Sequence, residues 1–449
     1  MDIDKDVKAI QPLLTPRAYR HLKDLQDHRH APKWNYKVGD KLKAQDLEKA
    51  RQYRVQQKLP PERFPASLPE PLLSRFETLQ KTSFFYKEHL KGHHLSKDFH
   101  LLPTMSREDL ATSLPEIVPT DVDFDGLIAY DTSGTTGHAI TVPTHPRTLA
   151  KAQILCEGAM RAYGLSPKFA EGEVACINVG TQQNTYVFTS AFAVWNHAIF
   201  AKVNLREAEW PQGQTSAQVF FADANPKIIS SDPVGIAEII RWELPLQPEI
   251  IFSTALALNE GFRAQIEERF QCPVVDWYSI TETGPIGFTA PDKRGYRPFT
   301  DDLYLEVLDL EGLPVSPGQW GEITVTCCRN DYLPLLRYRT GDRGRLMDGR
   351  LIELEGRQAV YFEATDGSPV NPVDIARILR LYCTFVQHQF RQRADGSCLM
   401  TIRPLPGTKV DVVKMKELLL DLFGPEQDLE VVLDEDLGSS GKVIPYIRE

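Results

Sequence analysis

Tyr130-Asp-Thr-Ser-Gly-Thr-Thr-Gly-His138 is the stretch of this sequence that says most about its fold. Two glycines and four hydroxyl side chains fall within the six residues 132–137. Glycine lets backbone N–H groups converge on an anion, and hydroxyls add donors, so the stretch predicts a phosphate-binding loop. It is not a Walker A loop, because no Gly-Lys-Ser/Thr follows at the required spacing. Taken alone, it fits an ordinary Ser/Thr/Gly surface loop as well.

The segments that follow this loop alternate between strand-like and helix-like patterns. Strand-like runs lie at 174–179, 227–230, 250–253 and 273–278, and helical patterns lie at 147–163, 233–242 and 259–270. Such alternation predicts an α/β fold with a buried, largely parallel sheet. From residue 303 the strands alternate in polarity instead, which predicts a β-subdomain.

The two ends of the chain have different patterns. Residues 1–70 are polar and mixed in charge, and we expect an N-terminal arm wrapped on the body. Helical periodicity over 72–90 predicts four core positions: Leu73, Phe76, Leu79 and Phe84. After residue 357, two amphipathic helices and two strand-like runs predict a small α+β domain. The predicted organisation is a large N-terminal domain over 1–356 and a small C-terminal domain over 357–449.

A second signal, Tyr278-Ser-Ile-Thr-Glu-Thr-Gly284, directly follows an apolar strand. Ligand sites in α/β folds usually lie where buried strands end. Glu282 is a candidate ligand for Mg²⁺, which prefers oxygen and commonly accompanies nucleotide phosphates. An acidic loop residue without such a role is the alternative.

Two further signals lie nearer the C-terminus. In Tyr338-Arg-Thr-Gly-Asp342, a carboxylate follows a glycine turn and suits the hydroxyls of a ribose, although an ordinary Gly-Asp turn is equally possible. In Leu437-Gly-Ser-Ser-Gly-Lys442, the lysine lies in a glycine-rich turn. Its ammonium suits a developing negative charge, and a solvated lysine is the alternative.

These four signals, in this order, resemble the adenylate-forming superfamily of acyl-CoA synthetases, adenylation domains and luciferases. Within it, the helical segment at 72–90 and Met105-Ser-Arg-Glu-Asp-Leu110 resemble the phenylacetate–coenzyme A ligase family. The resemblance runs from about residue 72 to 449. It implies a large adenylate-forming domain of layered α/β structure, a small mobile C-terminal domain, and ATP, Mg²⁺ and coenzyme A as cofactors.

The resemblance also implies a role for individual residues. Residues that would contact ATP are Thr132, Ser133, Gly134, Thr135, Thr136 and Gly137 at the phosphates, Ser253, Thr254, Asp276, Trp277 and Tyr278 at the adenine, Thr281 at the α-phosphate, Asp342 at the ribose, and Arg357 at the domain junction. Glu282 would bind magnesium. Lys442 would serve the adenylation step, with Thr281 and Glu282 beside the reacting phosphate.

By analogy, aromatic and amide side chains wall the acid pocket, which suits a flat ring with a polar substituent. The expected wall residues are Tyr130, His138, Ala139, Gln182, Gln183, Tyr186, Pro285 and Ile286. The implied reaction is ATP-dependent conversion of an aromatic acid, such as a benzoate, anthranilate or arylacetate, to its CoA thioester. These aromatic residues fit an ordinary core as well.

The sequence leaves alternatives open for the acceptor of the acyl group and for the catalytic activity itself. The acidic pair typical of the superfamily after Arg357 is replaced by Gln358-Ala359 at the expected hinge. A carrier-protein thiol or an amine therefore remains an alternative acceptor, and a homodimer remains possible. A non-catalytic nucleotide-binding protein on the same fold is the rival from another class.

The composition of the chain argues against several classes of protein. The chain has 449 residues, 42% hydrophobic, and a formal net charge of −10, which argues against a general nucleic-acid binder. No apolar run approaches the length that spans a bilayer, and the acidic start does not resemble a signal peptide. The seven cysteines form no CxxC pair and fit reduced core thiols. A soluble cytoplasmic enzyme is the expectation.

Overall fold

The computed structural model describes residues 3–57, 65, 67–131, 140–182, 185–299, 302–356, 362–370, 372–439 and 443–449. Helices alternate with strands through the middle of the chain, as the sequence pattern predicts. The helices are α1 (Lys5–Ile10), α2 (Pro16–Gln26), α3 (Ala44–Gln56), α4 (Glu70–Thr82), α5 (Phe84–His89), α6 (Arg107–Thr112), α7 (Leu114–Ile117), α8 (Pro146–Ala162), α9 (Gly213–Ala224), α10 (Pro233–Arg241), α11 (Glu260–Phe270), α12 (Pro372–Tyr382) and α13 (Val412–Phe423).

The strands divide into one large sheet, two short pairs and one small sheet. They are β1 (Ile128–Asp131), β2 (Thr141–Thr144), β3 (Val174–Gly180), β4 (Phe188–Phe192), β5 (Ala198–Asn204), β6 (Ile228–Ser231), β7 (Ile250–Thr254), β8 (Val274–Ile280), β9 (Gly284–Thr289), β10 (Tyr296–Pro298), β11 (Leu303–Leu308), β12 (Trp320–Cys327), β13 (Leu335–Met347), β14 (Arg350–Glu355), β15 (Phe362–Glu363), β16 (Pro369–Val370), β17 (Phe385–Gln392), β18 (Cys398–Pro404), β19 (Leu429–Leu433) and β20 (Tyr446–Arg448).

The large sheet has twelve described strands in the order β11-β12-β13-β14-β10-β9-β8-β7-β6-β3-β5-β4. Its segment β5-β3-β6-β7-β8 is parallel. Helices α9, α10 and α11 pack against one face of that segment, and α8 packs against the other. Both faces are therefore buried, which explains why these strands read as continuous apolar runs.

The alternating strands after residue 303 are present, and they continue the same sheet instead of forming a separate one. They are joined to the parallel segment through the antiparallel pairs β8–β9 and β9–β10. The sheet therefore runs without interruption from the strand that carries Tyr278 to β13, which carries Asp342. This continuity fixes the distance between the second and third sequence signals.

A two-stranded hairpin, β1 and β2, flanks the hydroxyl-rich stretch. Ile128 pairs with Thr144 and Asp131 with Thr141. The hairpin is attached to the body because Asn330 Nδ2 donates to the Pro143 carbonyl oxygen at 2.8 Å. Residues 132–139 themselves lie outside the described residues.

The C-terminal part forms its own sheet, in the order β19-β18-β17-β20, with α12 and α13 in its core. It rests on α10 through a buried ion pair, Arg403 Nη2 to Glu238 Oε1, at 2.6 Å. Val386 and Leu405 extend into the apolar core beside α10 and α11. The predicted domain junction at residue 357 lies outside the described residues.

The N-terminal segment packs on the body. Ala18, Tyr19 and Leu22 of α2 are buried against Ala191 and Ile199. Helix α3 packs beside α8.

Part of the 72–90 prediction was wrong. Phe76 and Leu79 are fully buried, but Phe84 is 67% exposed, and Tyr86 is buried in its place. Helix α4 ends at Ser83, and the Ser83 side chain caps the next helix, α5. The buried positions of α5 therefore do not continue the spacing that one unbroken helix over 72–90 would have. All seven cysteines are free thiols. Within the described part of the chain, no helix has the length and apolar character to cross a membrane.

Candidate active site

The second and third sequence signals meet through Tyr278 and Asp342. The Tyr278 hydroxyl, on β8, donates to Asp342 Oδ2, on β13, at 2.8 Å. Both side chains are buried, with 8% and 7% exposure. The two residues predicted to contact adenine and ribose are therefore direct neighbours.

Glu282 and Tyr338 make a second link between the same two stretches. The Tyr338 hydroxyl donates to Glu282 Oε1 at 3.1 Å, and Arg107 Nη1 donates to the same oxygen at 2.9 Å. Glu282 is 2% exposed. A buried carboxylate needs such partners, and the guanidinium offsets its charge.

Arg107 reaches this position because of the segment that precedes it. Met105 bridges to Tyr338, and its N–H donates to the Arg337 carbonyl oxygen at 3.1 Å. Ser106 then caps α6 by accepting from the Asp109 N–H, with the Asp109 side chain accepting in return. The segment 105–109, read from the sequence only as a mark of resemblance, thus supplies a cation to Glu282.

Two buried arginines hold the backbone around the site. Arg329 donates to Asp302 Oδ1 at 2.6 Å and to the Pro285 carbonyl oxygen, so it fixes the turn after Glu282. Arg337 donates to Glu306 Oε2 at 3.0 Å and to the Leu102 carbonyl oxygen. Sequence reasoning missed these residues, since a single arginine in a strand has no distinguishing pattern.

The predicted adenine residues lie at the end of β7 and in the middle of β8. Thr254 pairs with Trp277, and Ser253 pairs with Asp276. Asp276 is 5% exposed and accepts a hydrogen bond from the Tyr296 hydroxyl at 2.6 Å. Burial raises the pKa of Asp276 to about 6, against the lowering effect of Tyr296 and Arg263.

The predicted acid-pocket residues are partly brought together. Tyr186 is 61% exposed, and its ring lies 4.4 Å from that of Tyr36, which sequence reasoning missed. Tyr36 also lies near Tyr130, whose pKa is raised by burial and by that neighbour. Gln182 Nε2 instead donates to Asp232 Oδ2 at 3.3 Å.

Pro285 and Ile286 lie at the start of β9. Ile286 is fully buried among Tyr278, Leu303 and Leu305. It therefore packs the strand behind Tyr278. Their predicted role in closing the acid pocket stays a prediction.

Several predicted site residues lie outside the described part of the chain. They are Thr132, Ser133, Gly134, Thr135, Thr136, Gly137, His138, Ala139, Gln183, Arg357 and Lys442. Thr281, next to Glu282, is exposed. Of the turn before Lys442, residues 437–439 are described, and Gly438 approaches Val234 at the start of α10.

The described residues fit a nucleotide with a divalent cation. Ser253 Oγ is fully buried and has no hydrogen-bond partner among the described residues, so it offers a free donor and acceptor. Glu282 supplies one carboxylate, and Mg²⁺ bound with substrate phosphates typically uses one or two. Asp342 supplies the carboxylate expected for ribose hydroxyls.

A cavity of about 400 Å³ lies elsewhere, between α3 and the start of α8. Its walls carry both charges, and Arg147 pairs there with Asp46 at 2.9 Å and with Asp331 at 2.7 Å. Neither Glu282 nor Asp342 lines it. We interpret it as a structural polar pocket, because Arg147, Arg75 and Lys43 are each already paired with a carboxylate of the chain.

No protein-family model matches the chain. Protein CapK of Staphylococcus aureus is 23% identical over 341 residues, which cover 70% of this chain and 66% of CapK. A phenylacetate-coenzyme A ligase of Pseudomonas putida is 30% identical over 149 residues, which cover 30% of this chain and 34% of the ligase. The chain thus spans less than two thirds of the length of these curated relatives.

Among solved structures, 2-hydroxyisobutyryl-CoA ligase in the postadenylation state superposes with a TM-score of 0.63 at 16% identity. The match covers 85% of this chain and 91% of that one. The chain has the fold of the adenylate-forming CoA ligases. Its sequence resembles phenylacetate–coenzyme A ligases over part of its length, as the motifs predict.

Proposed function

We propose that this chain is an AMP-forming acid–CoA ligase that activates an aromatic carboxylic acid with ATP and passes the acyl group to coenzyme A. The observation that carries the proposal is the double link between two distant motifs, Tyr278 to Asp342 and Tyr338 to Glu282. An ATP-dependent ligase needs adenine, ribose and phosphate groups recognised at one place. Buried acidic residues joined in this way are suited to that task.

Different residues of this chain would bind different parts of ATP and of the reacting acid. Tyr278, Ser253 and Asp342 would orient the nucleoside, and the loop at 132–137 would hold the phosphates. Lys442 would donate to the oxygen on which negative charge develops as the acid carboxylate attacks the α-phosphate. Magnesium held by Glu282 would supply positive charge that offsets the triphosphate.

The aromatic preference rests on separate support. Tyr36 packs on Tyr186 and lies near Tyr130, and aromatic walls suit a flat ring. The partial relative from Pseudomonas putida is named for phenylacetate. An aryl acid is therefore the substrate class to test first.

Pyrophosphate exchange with ATP across a panel of aromatic and aliphatic acids tests the adenylation step. We expect exchange with at least one aryl acid. Adding CoA should then give a thioester detectable by mass spectrometry. Exchange without thioester would assign the acyl group to a carrier-protein thiol or an amine instead. Silence across the panel would contradict the ligase proposal and favour a non-catalytic nucleotide-binding protein.

A further inference from the structure

Lys202 lies on β5, between β3 and β4 in the sheet. Its directly paired residues are Asn178 on β3 and Phe188 on β4. Directly paired residues have side chains on the same face, close enough to touch. All three side chains are half-buried, so this row borders accessible space at the end of the parallel strands.

The Lys202 ammonium has no hydrogen bond or ion pair among the described residues. Burial lowers the pKa of Lys202, and no neighbouring charge contributes to that shift. Because Lys202 is half-buried, its ammonium is partly removed from water with no anion of the described residues beside it. That cost would be relieved by an anionic ligand.

The surroundings of Lys202 are those of the candidate acid pocket. Gln182, which follows β3, lies at the end of β5, where Asn204 Nδ2 donates to the Gln182 carbonyl oxygen at 2.9 Å. The Phe188 ring lies 6.2 Å from that of Tyr36, which packs on Tyr186. An aromatic wall thus lies directly beside an uncompensated positive charge.

We infer that Lys202 binds a second anionic group on the acid, and that the substrates are aromatic acids with two negative charges, such as benzenedicarboxylates. This inference rests on the proposed function. One carboxylate is activated by ATP, and the other pairs with the ammonium. The ring lies between them along the wall of Phe188, Tyr36 and Tyr186.

The test compares isophthalate with benzoate in the pyrophosphate-exchange assay. Wild-type protein should prefer isophthalate. Lys202→Met should lower kcat/KM for isophthalate about 30-fold or more, as expected for truncating one partner of a desolvated charge pair, while benzoate is unaffected or improves. Lys202→Arg keeps the charge and should retain most of the preference. Lys168→Met, at an exposed lysine, is the matched control for lost charge.

The outcomes separate this inference from the proposed function. If Lys202→Met lowers exchange with benzoate as much as exchange with isophthalate, the lysine acts on the reacting carboxylate or the phosphates. That result would overturn this inference and leave the proposed function standing. A wild type that prefers benzoate would do the same. If no acid supports exchange, the proposed function fails. Calorimetric binding of isophthalate then tests the ammonium by itself: binding that Lys202→Met abolishes supports an anion site at Lys202, and no binding overturns it.

Discussion

Arg107 and Glu282 are 175 residues apart in sequence, yet one guanidinium nitrogen lies 2.9 Å from one carboxylate oxygen. Their side chains are 17% and 2% exposed. Since both charges are largely removed from water, each depends on the other. The proposed magnesium ligand is thus held by a cation of the chain itself, and a bound divalent ion would share the carboxylate with Arg107.

Arg107→Met should destabilise the protein by about 3 kcal/mol, because it leaves a buried carboxylate without its cation. Urea unfolding without nucleotide measures this loss. The double variant Arg107→Met with Glu282→Gln should recover most of it, since neither charge then remains. If the double variant loses the sum of the two single losses, the pair is not coupled.

Lys442→Ala tests the residue assigned to adenylation by resemblance alone. Losing one well-placed electrostatic donor typically costs about 10²–10³ in rate. We expect at least that loss in pyrophosphate exchange, with thioester formation from supplied acyl-adenylate largely retained. Lys409→Ala, at an exposed lysine of the same domain, is the control. Equal losses in both half-reactions would contradict the assignment.

Helix α10 is the element on which the C-terminal sheet rests. Its Glu238 accepts from Arg403 at 2.6 Å, and also from Arg241 of the same helix. Leu405 is 2% exposed in the same contact. The contact therefore combines a buried ion pair with apolar packing.

Arg403→Met should loosen this contact without unfolding either sheet. Glu238 keeps Arg241, so we expect amide exchange in α10 and β18 to rise about tenfold, with α13 and β7 unchanged. Hydrogen-exchange mass spectrometry resolves these segments. Arg393→Met, in an exposed turn of the C-terminal sheet, controls for lost charge. Unchanged exchange in α10 would show that the apolar contact alone holds the domain.

Elements with strong periodicity were predictable. The runs at 174–179 and 250–253 are strands because apolar residues continue without a break, as expected of a strand covered on both faces. The burial of Phe84 was predicted wrongly because one helix ends at Ser83 and the next begins there. A single capping residue leaves no mark in the hydrophobic periodicity from which burial was predicted. The thirteen-residue strand β13 was also missed, because its arginines and glycines obscure the alternation.

At the scale of the whole molecule, the candidate site depends on contacts between segments far apart in sequence. The motifs carrying Glu282 and Asp342 could be identified from the sequence, since their residue types suit nucleotide chemistry, and their role at a nucleotide stays a prediction. Their partners Arg107 and Tyr338 could not be identified, because nothing near them in sequence links them to Glu282. They reach it only because the continuous sheet places β8 beside β9 and β13 beside the 105–109 segment. Local pattern identifies the chemistry, and sheet topology selects the supporting residues.

Two buried carboxyls make the stability of the molecule depend on pH. Burial raises the pKa of both Asp40 and Asp276 from 3.8 to about 6. The folded state therefore holds these protons more tightly than the unfolded chain. The stability they contribute is complete below pH 3.8 and is lost as pH rises through about 6.

Asp276→Asn removes one of these two titrating carboxyl groups. The free energy of unfolding of the variant, relative to wild type, should rise by about 3 kcal/mol between pH 4 and pH 7, because a pKa shift of one unit corresponds to about 1.4 kcal/mol. Urea unfolding at several pH values, without nucleotide, measures this difference. Asp366→Asn is the control of opposite sign, since hydrogen bonds from Ser368 lower the pKa of Asp366. A difference for Asp276→Asn that stays constant with pH would mean that this carboxyl is ionised in the folded protein throughout the range, with Arg263 and Tyr296 outweighing its burial.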